Sequence, residues 1–442
     1  MQRGDGTPAG RAAASSPRVA VDRVDVPPPG RTDEAPPPPE RARRRTTYRE
    51  VFAPREWRFL YGALVFSLLG DQLAKVALSI LVYVHTSSPL LTAVTYGISY
   101  LPWVVGGPLL SAFADRFPRR RVLLLCDLSR MVLVGLMALP GVPVAALVAT
   151  LFVASMFTPP FESARSALFP EILDGDAYVV GNAVTTTTYQ VGQLVGFIAG
   201  GALVAALTAR GALAVDALSF LFSAGLIWLG VRARPAPERS DTKPPSVWRE
   251  TAAGARLVFT NRRLRSIVLI VWAASAFAYA WEGLAAPWAH QFGGGARTVG
   301  LLLGINPLGV IVGSIVIGRF CSPETRSRLT LPLALAAPLL LVAVLPIRHL
   351  ALVLVVLAAS GFASSFNIAL NATFVRAVAP EFRARAFGLA QGGLMASQGI
   401  AVLAAGIVAD WTTPSASIAV FGLAGACIVG ALALRWPRDA EV

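Results

Sequence analysis

"SAFADRFPRRRVLLLCD", residues 111–127, gathers Asp115 and four arginines between two apolar runs, "YGISYLPWVVGGPLL" before it and "VLLLCDLSRMVLVGLMALP" beginning within it. Charge confined to short turns between long apolar segments is the pattern of a chain that crosses a bilayer repeatedly. The whole composition agrees. A soluble domain is about a quarter charged, whereas this chain of 442 residues is 14% charged and 55% hydrophobic. A helix needs about 20 apolar residues to cross roughly 30 Å of hydrocarbon.

From Trp57 onward twelve such runs follow one another, at approximately 57–84, 91–114, 121–140, 143–168, 184–208, 211–231, 265–290, 298–320, 328–347, 349–372, 386–410 and 415–436. The expected fold is an all-α membrane protein with twelve transmembrane helices in two six-helix bundles. Arginines collect in alternate connections: the N-terminal tail, 116–121, 232–265, 319–328, 376–385 and the C-terminus. The positive-inside rule then places both termini in the cytoplasm. Residues 1–54 carry "VPPPG" and "APPPPE" among arginines, too little apolar surface to fold alone, and are expected to be a disordered cytoplasmic tail. No apolar core follows the basic start, so the tail does not read as a secretory signal. The bundles are expected at 55–231 and 265–436, joined by a cytoplasmic loop at 232–264 and followed by a cytoplasmic end at 437–442. "SVWRETAAGARLVFTNRRLR" in that loop spaces apolar residues among charges, as in a helix lying on the membrane. Two short echoes hint at repeated halves: "SAFADRF" (111–117) with "SIVIGRF" (314–320), and "FPE" (169–171) with "APE" (379–381).

Several chemistries have no foothold. The formal charge of +14 sits at the ends of apolar runs, without the aromatic interleaving that stacks bases, so nucleic acid is not an expected partner. Cys126, Cys321 and Cys427 lie far apart, and His85, His290 and His349 each stand alone at the end of a run. Neither set has metal spacing. Hydrolase and P-loop motifs are missing, so neither enzyme chemistry nor a cofactor is expected.

Charges inside the runs are a different matter, because each costs about 2.5–3.5 kcal/mol to insert at the bilayer centre. "LLGDQLAKVALS" (68–79) puts Asp71 and Lys75 on one helix face, and of 39 basic residues only Lys75 and Lys243 are lysines. A buried lysine can release its proton; an arginine cannot. The two readings are a titratable pair facing a central cavity and a self-neutralised pair that fixes packing. "FAYAWEGLAAPW" (277–288) sets Glu282 among Tyr279 and Trp281, an acid with aromatics suited to a cationic substrate. Asn367 and Asn371 are weaker cavity candidates, as is Asp216. Asp127 with Arg130, and Glu162 with Arg165, have the i, i+3 spacing of pairs that brace helix ends.

The opening stretch resembles the major facilitator superfamily, whose loop between spans two and three carries GxxxDRxxRR; here Ser111, Asp115, Arg116, Arg119 and Arg120 fill it, serine replacing the first glycine. In the family this motif is a latch between the bundles on the cytoplasmic side. "LVYVHTSSPLLTAV" (81–94), "FPEI" (169–172) and "VDALSFLFSA" (215–224) look like the bacterial exporter branch that includes siderophore (enterobactin) and macrolide efflux proteins. "GQLVGFIAGG" (192–201) is similar to the antiporter signature GxxxGPxxGG, with Gly192, Gly196, Gly200 and Gly201 in place and Phe197 where proline is usual. The same glycines also make an ordinary close-packing face. The resemblance implies a monomeric secondary transporter of the bacterial cytoplasmic membrane working by alternating access. It would export a hydrophobic or amphipathic small molecule (drug, antibiotic or siderophore), with Asp71, Lys75 and Glu282 coupling transport to protons. An importer or uniporter in the same fold, or a transport-inactive scaffold or sensor, stays open.

Overall fold

The computed structural model describes residues 47–105, 116–235, 247–379 and 382–436. Residues 1–46 of the expected tail, the first part of the opening stretch including Ser111 and Asp115, and the C-terminal end lie outside the described residues. The tail's expected end at residue 54 is too late, since Tyr48–Val51 are helical and Val51 is buried. Every regular element among those described is helical.

The first half begins with the short α1 (Tyr48–Val51) and the long α2 (Arg55–Thr86). Ser88 caps α3 (Pro89–Gly97) by accepting from the Leu91 amide, with Pro89 at the first helical position. A 3₁₀ turn at Ile98–Tyr100 leads into α4 (Leu101–Val105). Then come α5 (Arg119–Ala138), α6 (Val144–Ser155), α7 (Thr158–Ile172) and α8 (Asp176–Gly230). The second half follows α9 (Val247–Thr260), the helix expected within the central connection. It runs α10 (Arg262–Tyr279), a 3₁₀ turn at Ala280–Leu284, α11 (Ala285–Gln291), α12 (Ala296–Phe320), α13 (Pro323–Leu339) extended by a 3₁₀ turn at Leu340–Val344, α14 (Leu350–Ala363), α15 (Phe366–Ala377), α16 (Arg383–Trp411) and α17 (Pro414–Leu434).

Among the described residues nine helical segments are long and apolar enough to cross a membrane. The difference from twelve has physical causes. At 1.5 Å per residue, the 55 residues of α8 would stretch roughly 80 Å, far beyond one bilayer. The segment reverses at Thr208, whose φ of 72° and ψ of 165° are not helical. It holds two spans. The run at 91–114 continues into undescribed residues, and α5 carries Arg119, Arg120, Arg121, Asp127 and Arg130, too much charge to register as apolar.

The halves meet most closely at the end away from the termini, the distal end. There the Ser88 hydroxyl donates to Asp410 Oδ1 at 3.1 Å, the Leu90 amide reaches the same oxygen at 3.4 Å, and Tyr83 meets the His290 ring edge to face at 5.6 Å. Gly201 and Gly300 let α8 and α12 approach so closely that a Cβ on Gly201 would lie 2.8 Å from the Gly300 Cα. Gly192, Gly196 and Gly200 serve α2 in the same way, facing Leu68, Gln72 and Leu73. At the opposite, terminal end, ion pairs among the described residues join the first half to itself and to the start of the central connection. Glu56 pairs with Arg234 at 2.5 Å, Arg234 reaches Glu171 at 3.0 Å, and Glu171 also holds Arg119.

Candidate functional site

Between the halves lies a cavity of about 740 Å³. Four acidic side chains (Asp71, Glu162, Asp216, Glu282) and two basic ones (Lys75, Arg130) line it among the described residues, together with Trp103, Tyr96, Tyr100, Tyr189, Tyr279, Phe197 and Phe220. Part of its wall comes from interruptions in the helices. One span is interrupted between α6 and α7, where Ser155 and Thr158 reach the cavity; another breaks between α14 and α15, exposing Ser364, Ser365 and Asn367 to it. Glu282 sits in the 3₁₀ turn between α10 and α11, and Tyr100 ends another in the second span. Irregular backbone survives at membrane depth only where it lines a cavity or is buried in protein.

Asp71 and Lys75 both line the cavity, as their spacing requires, but Asp71 does not pair with Lys75. Its Oδ1 accepts a hydrogen bond from Arg130 Nη2 on α5. The reason is the arginine's burial: at 5% exposure, with no way to lose its proton, Arg130 needs a carboxylate, whereas an ammonium at the cavity wall has other partners. Lys75 lies over the Tyr96 ring at 5.8 Å and within electrostatic reach of Glu282. Glu282 in turn accepts hydrogen bonds from Tyr96 at 2.9 Å and Tyr100 at 3.2 Å. A first-half lysine and two first-half tyrosines thus hold a second-half acid, near the distal end of the cavity.

Asp127 and Arg130 do not form a helix-end brace either. Both are buried in mid-α5, where Asp127 Oδ2 accepts from Ser223 at 2.5 Å and Arg130 stacks over Phe220 at 4.1 Å. Glu162 and Arg165 do pair, and the Tyr189 hydroxyl joins them, accepting from Arg165 at 2.8 Å and donating to Glu162 at 2.9 Å. Trp281 misses the cavity. It is 1% exposed and packs edge to face on Trp288 at 6.1 Å, because the turn that presents Glu282 points its neighbour away. Asn367 lines the cavity and donates to the Ser364 carbonyl at 3.1 Å, while Asn371, one turn nearer the terminal end, is exposed and outside it. Phe197 lines the cavity on the face of α8 beside its packing glycines.

Of the motif expected to latch the bundles, Arg116 is exposed, Arg119 holds Glu171 and the Ala167 carbonyl, and Arg120 donates to the Trp228 carbonyl at 2.5 Å. These contacts tie the terminal ends of the first half together. The residues sequence reasoning missed are Arg130 as partner of Asp71, and Tyr96 and Tyr100. The signal for the first was an arginine with an acid well inside the third apolar run; for the second, two tyrosines four apart in the second.

The family model for the Major Facilitator Superfamily matches residues 60–348 and 283–442. The multidrug efflux pump Tap of Mycolicibacterium fortuitum is 24% identical over 387 residues, covering 84% of this chain and 93% of Tap. Among solved structures, a bacterial homolog of the human lysosomal transporter Spinster, inward-facing and unoccupied, superposes with a TM-score of 0.68 at 13% identity, over 87% of this chain and 96% of its own. The nucleoside transporter NupG gives 0.66 at 13% identity, over 86% and 100%. A POT family transporter bound to 5-aminolevulinic acid gives 0.67 at 12% identity, over 86% and 96%.

Proposed function

The chain belongs to the major facilitator superfamily, and on that premise we propose that it exports amphipathic small molecules, cations above all, in exchange for protons. The observation that carries this reading is the cavity wall, where, among the described residues, carboxyl groups outnumber basic side chains four to two and aromatic rings stand beside them. Acid and aromatic together favour a cation with apolar surface. Two further acceptors point the same way: Gln72 Oε1 and Asn306 Oδ1 are buried at the cavity without a hydrogen-bond partner among the described residues. They suit a substrate rich in N–H or O–H donors. Export is supported by the likeness to an efflux pump.

In this reading residues 55–231 and 265–436 are the two bodies that rock about the cavity, with the terminal end in the cytoplasm. The conformation with its halves joined at the distal end is then the inward-facing one, ready to load cargo from the cell. Asp115 and the arginines after it are the latch that closes the terminal end in the opposite state. The test is ethidium movement in inverted membrane vesicles with an imposed acid interior. Accumulation that collapses when the gradient is dissipated is expected. Accumulation only under the reverse gradient would make the protein an importer, and gradient-independent equilibration would make it a uniporter.

A further inference from the structure

The first half holds an ion cluster whose charges do not balance. Around Arg130 stand Asp71 from α2, Asp127 from α5 and Asp216 from the second span of α8, all within electrostatic reach of the guanidinium. The other groups facing them are Ser67 and, one turn on, Lys75 from α2, Cys126 from α5, and Ser219, Phe220 and Ser223 from α8. Lys75 is engaged with Tyr96 and Glu282 instead. One guanidinium therefore meets three carboxyl groups. Asp127 and Asp216 are both 0% exposed, and Asp127 Oδ1 and Asp216 Oδ2 lack any hydrogen-bond partner among the described residues. An ionised carboxylate left so is the costliest arrangement a membrane interior can hold, and a neutral carboxyl far less so.

The three carboxyls also differ in access. Asp71 keeps 34% of its side chain exposed at the cavity, whereas Arg130 keeps 6%. Asp216 is tucked over Gly70, the residue before Asp71, where any side chain would collide with it. Arg130 lies on the ring of Phe220, one helical turn from Asp216 on the same helix, and Asp216 acts electrostatically on its guanidinium.

Resting on the reading of a cation exporter, we propose that Asp216 is the carboxyl that carries the exchanged proton and that Arg130 releases it by changing partner. Before loading, Arg130 bonds ionised Asp71 and Asp216 is neutral. A cationic substrate entering the cavity competes for Asp71. Arg130, displaced, turns to Asp216, whose O–H bond breaks; the electron pair stays on the carboxylate and the proton passes to cavity water. One positive charge has entered and one has left. Reprotonation of Asp216 sends Arg130 back to Asp71 and expels the cation.

The experiment adds tetraphenylphosphonium to the purified full-length protein in weakly buffered detergent and reads bound cation and released protons together. Wild type should release about one proton per cation bound. Asp216→Asn should still bind but release at least tenfold less. Infrared difference spectra of the wild type, which need no variant to fold, should show loss of a protonated carboxyl band on binding. Binding by Asp216→Asn with undiminished release overturns the proposal, as does loss of release in Asp127→Asn in its place, or an unchanged carboxyl band. Failure of the wild type to bind the cation or to move it under a pH gradient overturns the exporter reading itself and so is told apart.

Discussion

Because its guanidinium stays charged, Arg130 needs a carboxylate beside it in whichever conformation the protein adopts. Asp71→Asn removes the partner it bonds in this one and leaves Arg130 only Asp127 and Asp216, whose burial makes either costly to ionise. We expect the single variant to unfold at markedly lower temperature in detergent, and the double Asp71→Asn, Arg130→Met to recover most of the loss while failing to couple transport to protons. Wild-type stability in the single variant would show that the pair bears little weight. The sequence made Asp71 and Lys75 legible as costly charges sharing a helix face, and Glu282 as an acid among aromatics. It could not show their partners. Those come from α5 and from the second span, and which of two cations reaches a carboxylate depends on relative burial, which no spacing along one helix encodes.

Helices were the most legible level, since an apolar run of sufficient length has few other uses than crossing lipid. Their interruptions were not. The gap between α6 and α7 follows a run with no glycine and only Thr150 as a polar residue before Ser155, and that between α14 and α15 sits in "GFASSFN" (361–367), where small residues pass equally well for helix packing. The glycines of 192–201 were legible only as small; the structure assigns three of them to α2 and Gly201 to the other half. That division makes a prediction. Gly201→Leu must push backbone from backbone where α8 meets α12, so it should hold the distal end open. Cysteines placed at Thr95 and Gln398, both in the cavity wall, should then react faster with a membrane-impermeant thiol reagent applied from outside intact cells. An unchanged rate would mean that the contact does not seal that end. Gly192→Ala, facing one flexible leucine side chain, should be far milder.

In the proposed cycle the whole molecule exchanges one closed end for another, and two regions outside the described residues can be tested against it. Removing residues 1–45 should leave vesicle transport within about twofold of wild type, since that stretch lacks the apolar content to form a core. A larger loss in a normally inserted truncation would give the tail a role in the cycle. Asp115→Ala should slow turnover several-fold with ethidium affinity nearly unchanged, because a latch shifts the balance of two states without touching cargo. Collapse of affinity with intact turnover would remove Asp115 from that role.

The two faces of the cavity are chemically unlike. The first half supplies Asp71, Lys75, Arg130, Glu162 and Asp216, while the second supplies Glu282, already held by Tyr96 and Tyr100, and otherwise amides, hydroxyls and apolar groups such as Gln391, Gln398, Asn306, Ser314 and Met395. A change among the neutral groups alters what fits without disturbing any ion pair. Serial selection of cells on structurally different toxic cations should therefore gather its mutations on α10, α12, α15 and α16, leaving the charged wall intact, so that one half drifts with the chemical environment while the other is held constant by the energy source.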